Sequence, residues 1–290
     1  MINLKLYIGA HKTATTHINN LLDSSRSVLV ANGIKLSLPN EVRCEWLPNF
    51  FNFLSTKNPR ALEKIKSLSP TLETWILCEE NISGLTQDFS RREGIYPSLK
   101  RRMEAIKAFY PEVNIEVFFS IRSYDLFYGS AYLEAVRCDG YSPFMKFYDE
   151  DRFKNNSWVT VADSLSKVFS EEKITLWCYE DFSSVLLQVI EKITGLNSEI
   201  SNQIITDYGN SITRPSMSKR ALTHLACLSS APISIQKKSI EKLIDKYPAN
   251  AENGYFRAFD KQKSTLLKKK YVEDIETIKN LYPKINFICK

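Results

Sequence analysis

Residues 4–8 form an apolar strand that runs directly into Gly9-Ala10-His11-Lys12-Thr13-Ala14-Thr15-Thr16. Apolar positions at Ile18, Leu21, Leu22, Val28 and Leu29 then repeat at helical spacing. No feature of the chain constrains its fold more. A strand, a loop with a glycine, a lysine and several hydroxyls, and then a helix make an anion-binding turn. Backbone N–H groups at a helix start converge on negative charge, and the helix dipole favours it there. Lys12 adds a mobile positive charge, and Thr15 and Thr16 add hydroxyl donors.

The alternation continues along the chain. Apolar runs at 75–78, 115–121 and 174–178 read as buried parallel strands, with 34–38 as a fifth. Helices are expected near 15–31, 41–55, 59–68, 93–110, 123–138, 157–169 and 181–193. This pattern predicts an α/β fold: a doubly wound parallel β-sheet flanked by helices, of the P-loop nucleotide-kinase-like kind. The strand signal fades after about residue 200, where 217–229, 233–247 and 264–281 look helical. The chain is therefore expected to be one domain over 1–290, with an α/β core over 1–200 and a helical C-terminal cap over 201–290. The irregular stretches 207–216 and 248–262 are candidate lids over a site.

Composition adds exclusions. No apolar run reaches membrane-spanning length, and only a few residues precede Gly9, which leaves no room for a signal peptide. A cytoplasmic protein is expected. The six cysteines show no C-x-x-C pair and the three histidines no metal-ligand spacing, so reduced, buried thiols and no metal site are expected. The net charge of +6 suits an anionic ligand. Basic clusters such as Lys100-Arg101-Arg102 and Lys268-Lys269-Lys270 are not interleaved with aromatics, so no nucleic-acid partner is expected. A homo-oligomer is compatible with the sequence.

A second anion site follows the strand over 115–121. Arg122 stands at its carboxyl end, where ligands of open parallel sheets bind. Ser130 lies two helical turns further on, followed by Ala131 and Tyr132. Arg suits a bidentate grip on phosphate. The nucleotide-triphosphate loop pattern G-x-x-x-x-G-K-[ST] is not met, because Lys12 follows Gly9 by three residues.

The loop instead resembles the G-x-x-K-T-G-T-T loop of sulfotransferases, and the Arg122…Ser130-Ala131-Tyr132 spacing resembles that family's 3′-phosphate motif. Softer likenesses to bacterial, carbohydrate-sulfotransferase-like members lie in Trp75–Ser83, in Tyr179-Glu180-Asp181-Phe182 and in Ile193-Thr194-Gly195-Leu196. The resemblance spans about residues 3–200. It implies transfer of a sulfuryl group from 3′-phosphoadenosine 5′-phosphosulfate (PAPS) to a hydroxyl or amine of a glycan, glycolipid precursor or small metabolite, by in-line displacement without metal. The product nucleotide is adenosine 3′,5′-bisphosphate (PAP). Gly9, Ala10, His11, Lys12, Thr13, Ala14, Thr15 and Thr16 would hold the 5′-phosphosulfate, and Arg122 and Ser130 the 3′-phosphate. Arg214 and Arg257 are candidates for the 3′-phosphate or an anionic acceptor. Ala14 departs from the family's glycine. A left-handed φ there strains alanine, whereas a helical φ accommodates it.

Lys12 is the expected charge-stabilising catalytic residue. Glu80 is the first candidate base, because it stands at a strand's carboxyl end; pairing with Arg122 or a place near a helix cap is its other reading. Glu79 is expected to point elsewhere. Glu41 and Glu45 are runners-up, since some carbohydrate sulfotransferases place a glutamate shortly after the first helix. His11 either orients the loop or lines the acceptor entrance. His17 and His224 are read as structural. Two other functions stand beside the transferase: a P-loop kinase of a small molecule, and a non-catalytic PAP- or PAPS-binding protein.

Overall fold

The computed structural model describes residues 2–68, 72–85, 88, 94–208 and 216–289. Six strands form one sheet: β1 (Asn3–Tyr7), β2 (Ile34–Ser37), β3 (Thr74–Cys78), β4 (Asn114–Ile121), β5 (Ile174–Cys178) and β6 (Asn286–Ile288). Every pairing is parallel, in the order β2-β3-β1-β4-β5-β6. Parallel neighbours need long crossovers, and helices supply them. Between β1 and β2 run α1 (Thr15–Ser24) and α2 (Arg26–Ala31). Between β2 and β3 run α3 (Pro39–Val42), α4 (Trp46–Thr56) and α5 (Pro59–Ser67). The β3–β4 crossover holds α6 (Leu99–Phe109). The next holds α7 (Tyr124–Asp139), α8 (Phe144–Phe147), α9 (Glu150–Phe153) and α10 (Trp158–Ser166). The last holds α11 (Phe182–Thr194), α12 (Ser198–Tyr208), α13 (Lys219–Cys227), α14 (Ile233–Lys246) and α15 (Lys261–Leu281).

Side chains alternate across the sheet with the strand period of two. Leu4, Leu6, Leu77, Val117, Phe119 and Leu176 pack on one face with Phe50, Ile106, Trp158 and Ile278 of α4, α6, α10 and α15. Tyr7, Ile76, Phe118 and Trp177 pack on the other with Leu21 and Leu22 of α1 and Val189 and Ile193 of α11. Both faces are covered, which is why the strands read as continuous apolar runs. A third cluster joins Tyr132 and Val136 of α7 to Leu225 of α13 and Ile244 of α14. No described helix is long and apolar enough to cross a membrane.

The doubly wound parallel sheet is the expected fold class. Several elements differ from the sequence reading. The expected helix over 15–31 is broken at Ser25, whose hydroxyl donates to the Leu21 carbonyl at 2.7 Å. A serine there competes for the helix's own hydrogen bonds. Strand β6 lies beyond residue 200 and pairs with β5 from Thr175–Asn286 to Trp177–Ile288. Its three residues are too short a run to signal a strand. Cys78 and Cys178 are buried thiols, but Cys44, Cys138 and Cys227 are exposed on helices and their flanks, against the expectation of burial.

The topology fixes where a ligand binds. From β1 the chain winds toward β2, and from β4 toward β5 on the opposite side. The switch point therefore lies between the adjacent carboxyl ends of β1 and β4, where open α/β sheets open a crevice. Both anion motifs leave the sheet there.

Candidate functional site

The loop after β1 is fastened to β4. The Ala10 N–H donates to the Ser120 carbonyl at 3.1 Å. Thr13 Oγ1 donates to the Ala10 carbonyl at 2.5 Å and makes a close hydroxyl contact with Ser120 Oγ. Gly9 is required by this closeness: a Cβ there would lie 2.7 Å from Ser120 Oγ, an atom already engaged and fully buried. His11 ties the loop from the other side. Its N–H donates to the Tyr96 hydroxyl at 2.9 Å, and that hydroxyl meets Nδ1 at 2.9 Å. With Tyr96 as donor to Nδ1, the proton sits on Nε2, which donates to Asn81 Oδ1 at 3.2 Å. Both ring nitrogens of the buried His11 thus fasten the loop.

Lys12 (φ 67°), Ala14 (φ 60°) and Tyr96 (φ 55°) are left-handed, three of the four non-glycine residues so described; the other is Lys57. Strain gathered on one loop and its clasp is a mark of a functional site. Ala14 is the N-cap of α1, no side chain caps that helix, and no acid stands in its first turn. The start of α1 therefore presents donors and a positive dipole end to the cavity that Ala14, Thr15 and Thr16 border. Of the two conformations open to Ala14, the chain adopts the left-handed one that strains alanine. Ala14→Gly is expected to raise stability by about 0.5–1 kcal/mol, relieving the left-handed penalty less the added chain entropy. Urea denaturation checks it; a lower midpoint would contradict the strain.

Arg122 leaves the end of β4 and reaches back to the loop. Its Nη1 donates to the Lys12 carbonyl at 2.5 Å, and its guanidinium lies 4.2 Å from the Tyr179 ring centroid. Trp158 Nε1 donates to the Arg122 carbonyl at 2.9 Å and holds the backbone. Burial pulls the guanidinium below its ordinary pKa, opposed chiefly by Tyr179, Glu180 and Asp125. Arg122 Nε is buried and finds no hydrogen-bond partner among the described residues. A half-buried cation with a buried, unsatisfied donor is suited to an anion.

A cavity of about 450 Å³ collects these groups, with Lys12, Thr15, Thr16, Arg122 and Ser130 in its wall. A smaller one of about 140 Å³ adjoins it across Arg122 and Ser130 and is walled by Arg257. The stretch that carries Arg257 is not a loose lid. Asn253 Nδ2 donates to the Pro248 carbonyl at 3.0 Å, Lys219 N–H donates to the Gly254 carbonyl at 3.1 Å, and Phe256 packs on Tyr132. Arg214 and most of the other lid candidate lie outside the described residues.

The carboxylates separate by environment. Glu80 borders the cavity, where Thr15 Oγ1 donates to Oε2 at 2.8 Å. Arg43 Nη2 lies 3.9 Å from its Oε1, whereas Arg122 reaches the Lys12 carbonyl instead. Glu79 points away and is buried. Burial pushes its carboxyl up, and the bidentate Arg43 pair at 2.7 and 3.0 Å opposes that. Glu41 and Glu45 do not join the site. Glu41 Oε2 accepts from the Leu38 N–H at 3.0 Å, Oε1 pairs with Arg26 at 2.9 Å, and both glutamates border a separate groove by β2. Proline at the start of α3 puts Glu41 in its first turn, where a carboxylate caps rather than catalyses.

His17 was read as structural, yet it borders the cavity, edge-on to Phe182, and burial lowers its pKa. His224 stacks on Tyr247 outside this cavity. Sequence reasoning missed Glu134, Arg137 and Tyr179. Lys12 Nζ donates to Glu134 Oε2 at 3.0 Å, and Arg137 Nη1 lies 3.8 Å from the same oxygen. A signal existed: Ser130, Glu134 and Arg137 stand at i, i+4 and i+7, on one face of α7. Among the described residues no cluster of His, Cys, Asp and Glu is disposed to hold a metal ion.

No protein-family model matches the chain, and no curated protein sequence matches it. Among solved structures, the crystal structure of sulfotransferase from Alicyclobacillus acidocaldarius is similar at 14% identity. That match covers 84% of this chain and 96% of the other, with a TM-score of 0.42.

Proposed function

We propose that the protein is a PAPS-dependent sulfotransferase. The observation that carries the reading is the meeting of two anion grips at one switch point: the Gly9–Thr16 loop and Arg122, joined by the Arg122–Lys12 carbonyl bond at 2.5 Å. A 3′,5′-bisphosphorylated nucleotide has two anionic ends that need such a pair. Lys12, the start of α1, Thr15 and Thr16 would take the 5′-phosphosulfate. Arg122, Ser130 and Arg257 would take the 3′-phosphate, with the buried Arg122 Nε as an unfilled donor.

In the transfer, the acceptor's oxygen or nitrogen attacks sulfur as its proton leaves. A new bond to sulfur forms, the bond from sulfur to the 5′-phosphate oxygen breaks, and PAP departs. Lys12 and the loop N–H groups oppose the charge growing on the leaving phosphate. Donors fixed in advance need no reorganisation, which makes such groups the largest contributors to rate. Glu80 stands in the cavity and takes the proton, a role worth about 10²–10⁴ in rate. Its hydrogen bond to Thr15 links proton transfer to the loop that holds the sulfated phosphate. The acceptor is a hydroxyl or amine of a glycan, glycolipid precursor or small metabolite, and the protein works in the cytoplasm.

The test is incubation with PAPS carrying radioactive sulfur and a panel of sugar, lipid-linked and small hydroxyl or amine acceptors, without added metal. Labelled product that is lost in Glu80→Gln supports the assignment. PAP bound tightly but no product from any acceptor would favour a binding protein instead.

A further inference from the structure

The lysine expected to meet the ligand already has a partner. Lys12 Nζ and Glu134 Oε2 are 3.0 Å apart, and their side chains are 28% and 18% exposed. The pair spans the cavity from the loop to the face of α7. Arg137, one turn further along that face and 7% exposed, brings Nη1 to 3.8 Å from the same carboxylate oxygen. The lysine backbone has no freedom to adjust: it is left-handed, and its carbonyl is held by Arg122. Only the flexible four-carbon stem can move.

We propose that Glu134 is the resting counterion of Lys12, and that an anion arriving in the loop displaces it. Lys12 passes to the incoming anion while the carboxylate passes to Arg137. The inference rests on the reading that the loop takes a nucleotide's 5′-phosphosulfate. Its physics is charge balance in a half-buried site. With the cavity empty, a lone lysine beside Arg122 and Arg137 would concentrate positive charge, and Glu134 offsets it. With an anion bound, a carboxylate left on Lys12 would repel the ligand. A move of about 1 Å brings Glu134 to hydrogen-bonding distance of Arg137, on its own helix. Glu134 is thus a positioning residue: it holds the lysine across the cavity and taxes anion binding by the strength of one ion pair.

The prediction runs opposite to that for a merely structural residue. Glu134→Gln frees Lys12 and should tighten PAP binding about three- to tenfold at low salt, with a smaller gain at high salt. Glu134→Asp, which retains the charge, should stay nearer wild type. In Lys12→Ala the gain should vanish, so that Lys12→Ala and Lys12→Ala/Glu134→Gln bind PAP alike. Isothermal titration of wild type and the four variants with PAP reads all of this, with thermal melting as a control on folding. If wild type binds PAP and Glu134→Gln binds it no more tightly while melting normally, the counterion exchange is wrong and the cofactor reading stands. Persistence of the gain without Lys12 would overturn it equally. Failure of wild type to bind PAP would remove both.

Discussion

Lys12→Ala is expected to slow sulfuryl transfer by about 10²–10³-fold, the usual cost of removing one preorganised charge-stabilising donor. The loss should fall mainly on kcat, because the leaving phosphate gains charge only as the bond to sulfur breaks. Ground-state binding of the nucleotide should change less, because the lysine's gain from the ligand is offset by its break with Glu134 at 3.0 Å. The backbone of the loop should survive. Thr13, His11 and Arg122 fasten it through contacts that the lysine side chain does not make. Single-turnover rates with labelled PAPS and any accepted acceptor measure the effect. A Lys12→Ala enzyme with a rate within about threefold of wild type would remove the lysine from the chemistry.

Arg122→Ala is expected to weaken PAP binding by about 10–100-fold, the range for losing a charge-assisted hydrogen bond to phosphate. The ratio of PAP to adenosine 5′-phosphate affinities is the sharper readout. Those ligands differ only in the 3′-phosphate, so the ratio isolates that contact from the general loosening when Arg122 no longer holds the Lys12 carbonyl. In wild type the ratio should be large; in Arg122→Ala it should fall about tenfold or more, staying above one while Ser130 and Arg257 remain. Arg122→Lys keeps the charge but not the fork that stacks on Tyr179, and should fall between. An unchanged ratio in Arg122→Ala would place the 3′-phosphate elsewhere.

The frame of the site was legible because it is written in local chemistry. β1 is short with alternating apolar residues and β4 is a longer, mostly apolar run; the first leads into the Gly9–Lys12 segment and the second into Arg122, the residue types an anion site needs. Parallel pairing then forces those ends together. What the sequence hid depends on contacts between distant residues. The strand before Glu80 ranks it above Glu41, but only the fold shows that Glu41, within α3, caps its helix while Glu80 borders the cavity. Ala14 offered two conformations, and the clasp of His11, Tyr96 and Ser120 on the loop accompanies the left-handed one. Glu134 and Arg137 carry no signal of a site in the sequence beyond their helical spacing from Ser130, and only the fold sets them opposite Lys12. β6 was lost because three residues at a sheet edge carry too little pattern.

Binding of PAP to the wild-type protein, titrated calorimetrically without Mg²⁺ and compared with ATP in the presence of Mg²⁺, tests the central claim most directly. PAP is expected to bind without Mg²⁺ in the micromolar range, more strongly than adenosine 5′-phosphate and more weakly in Arg122→Ala. No binding of PAP, or binding only of ATP with Mg²⁺, would contradict that claim and point to a kinase.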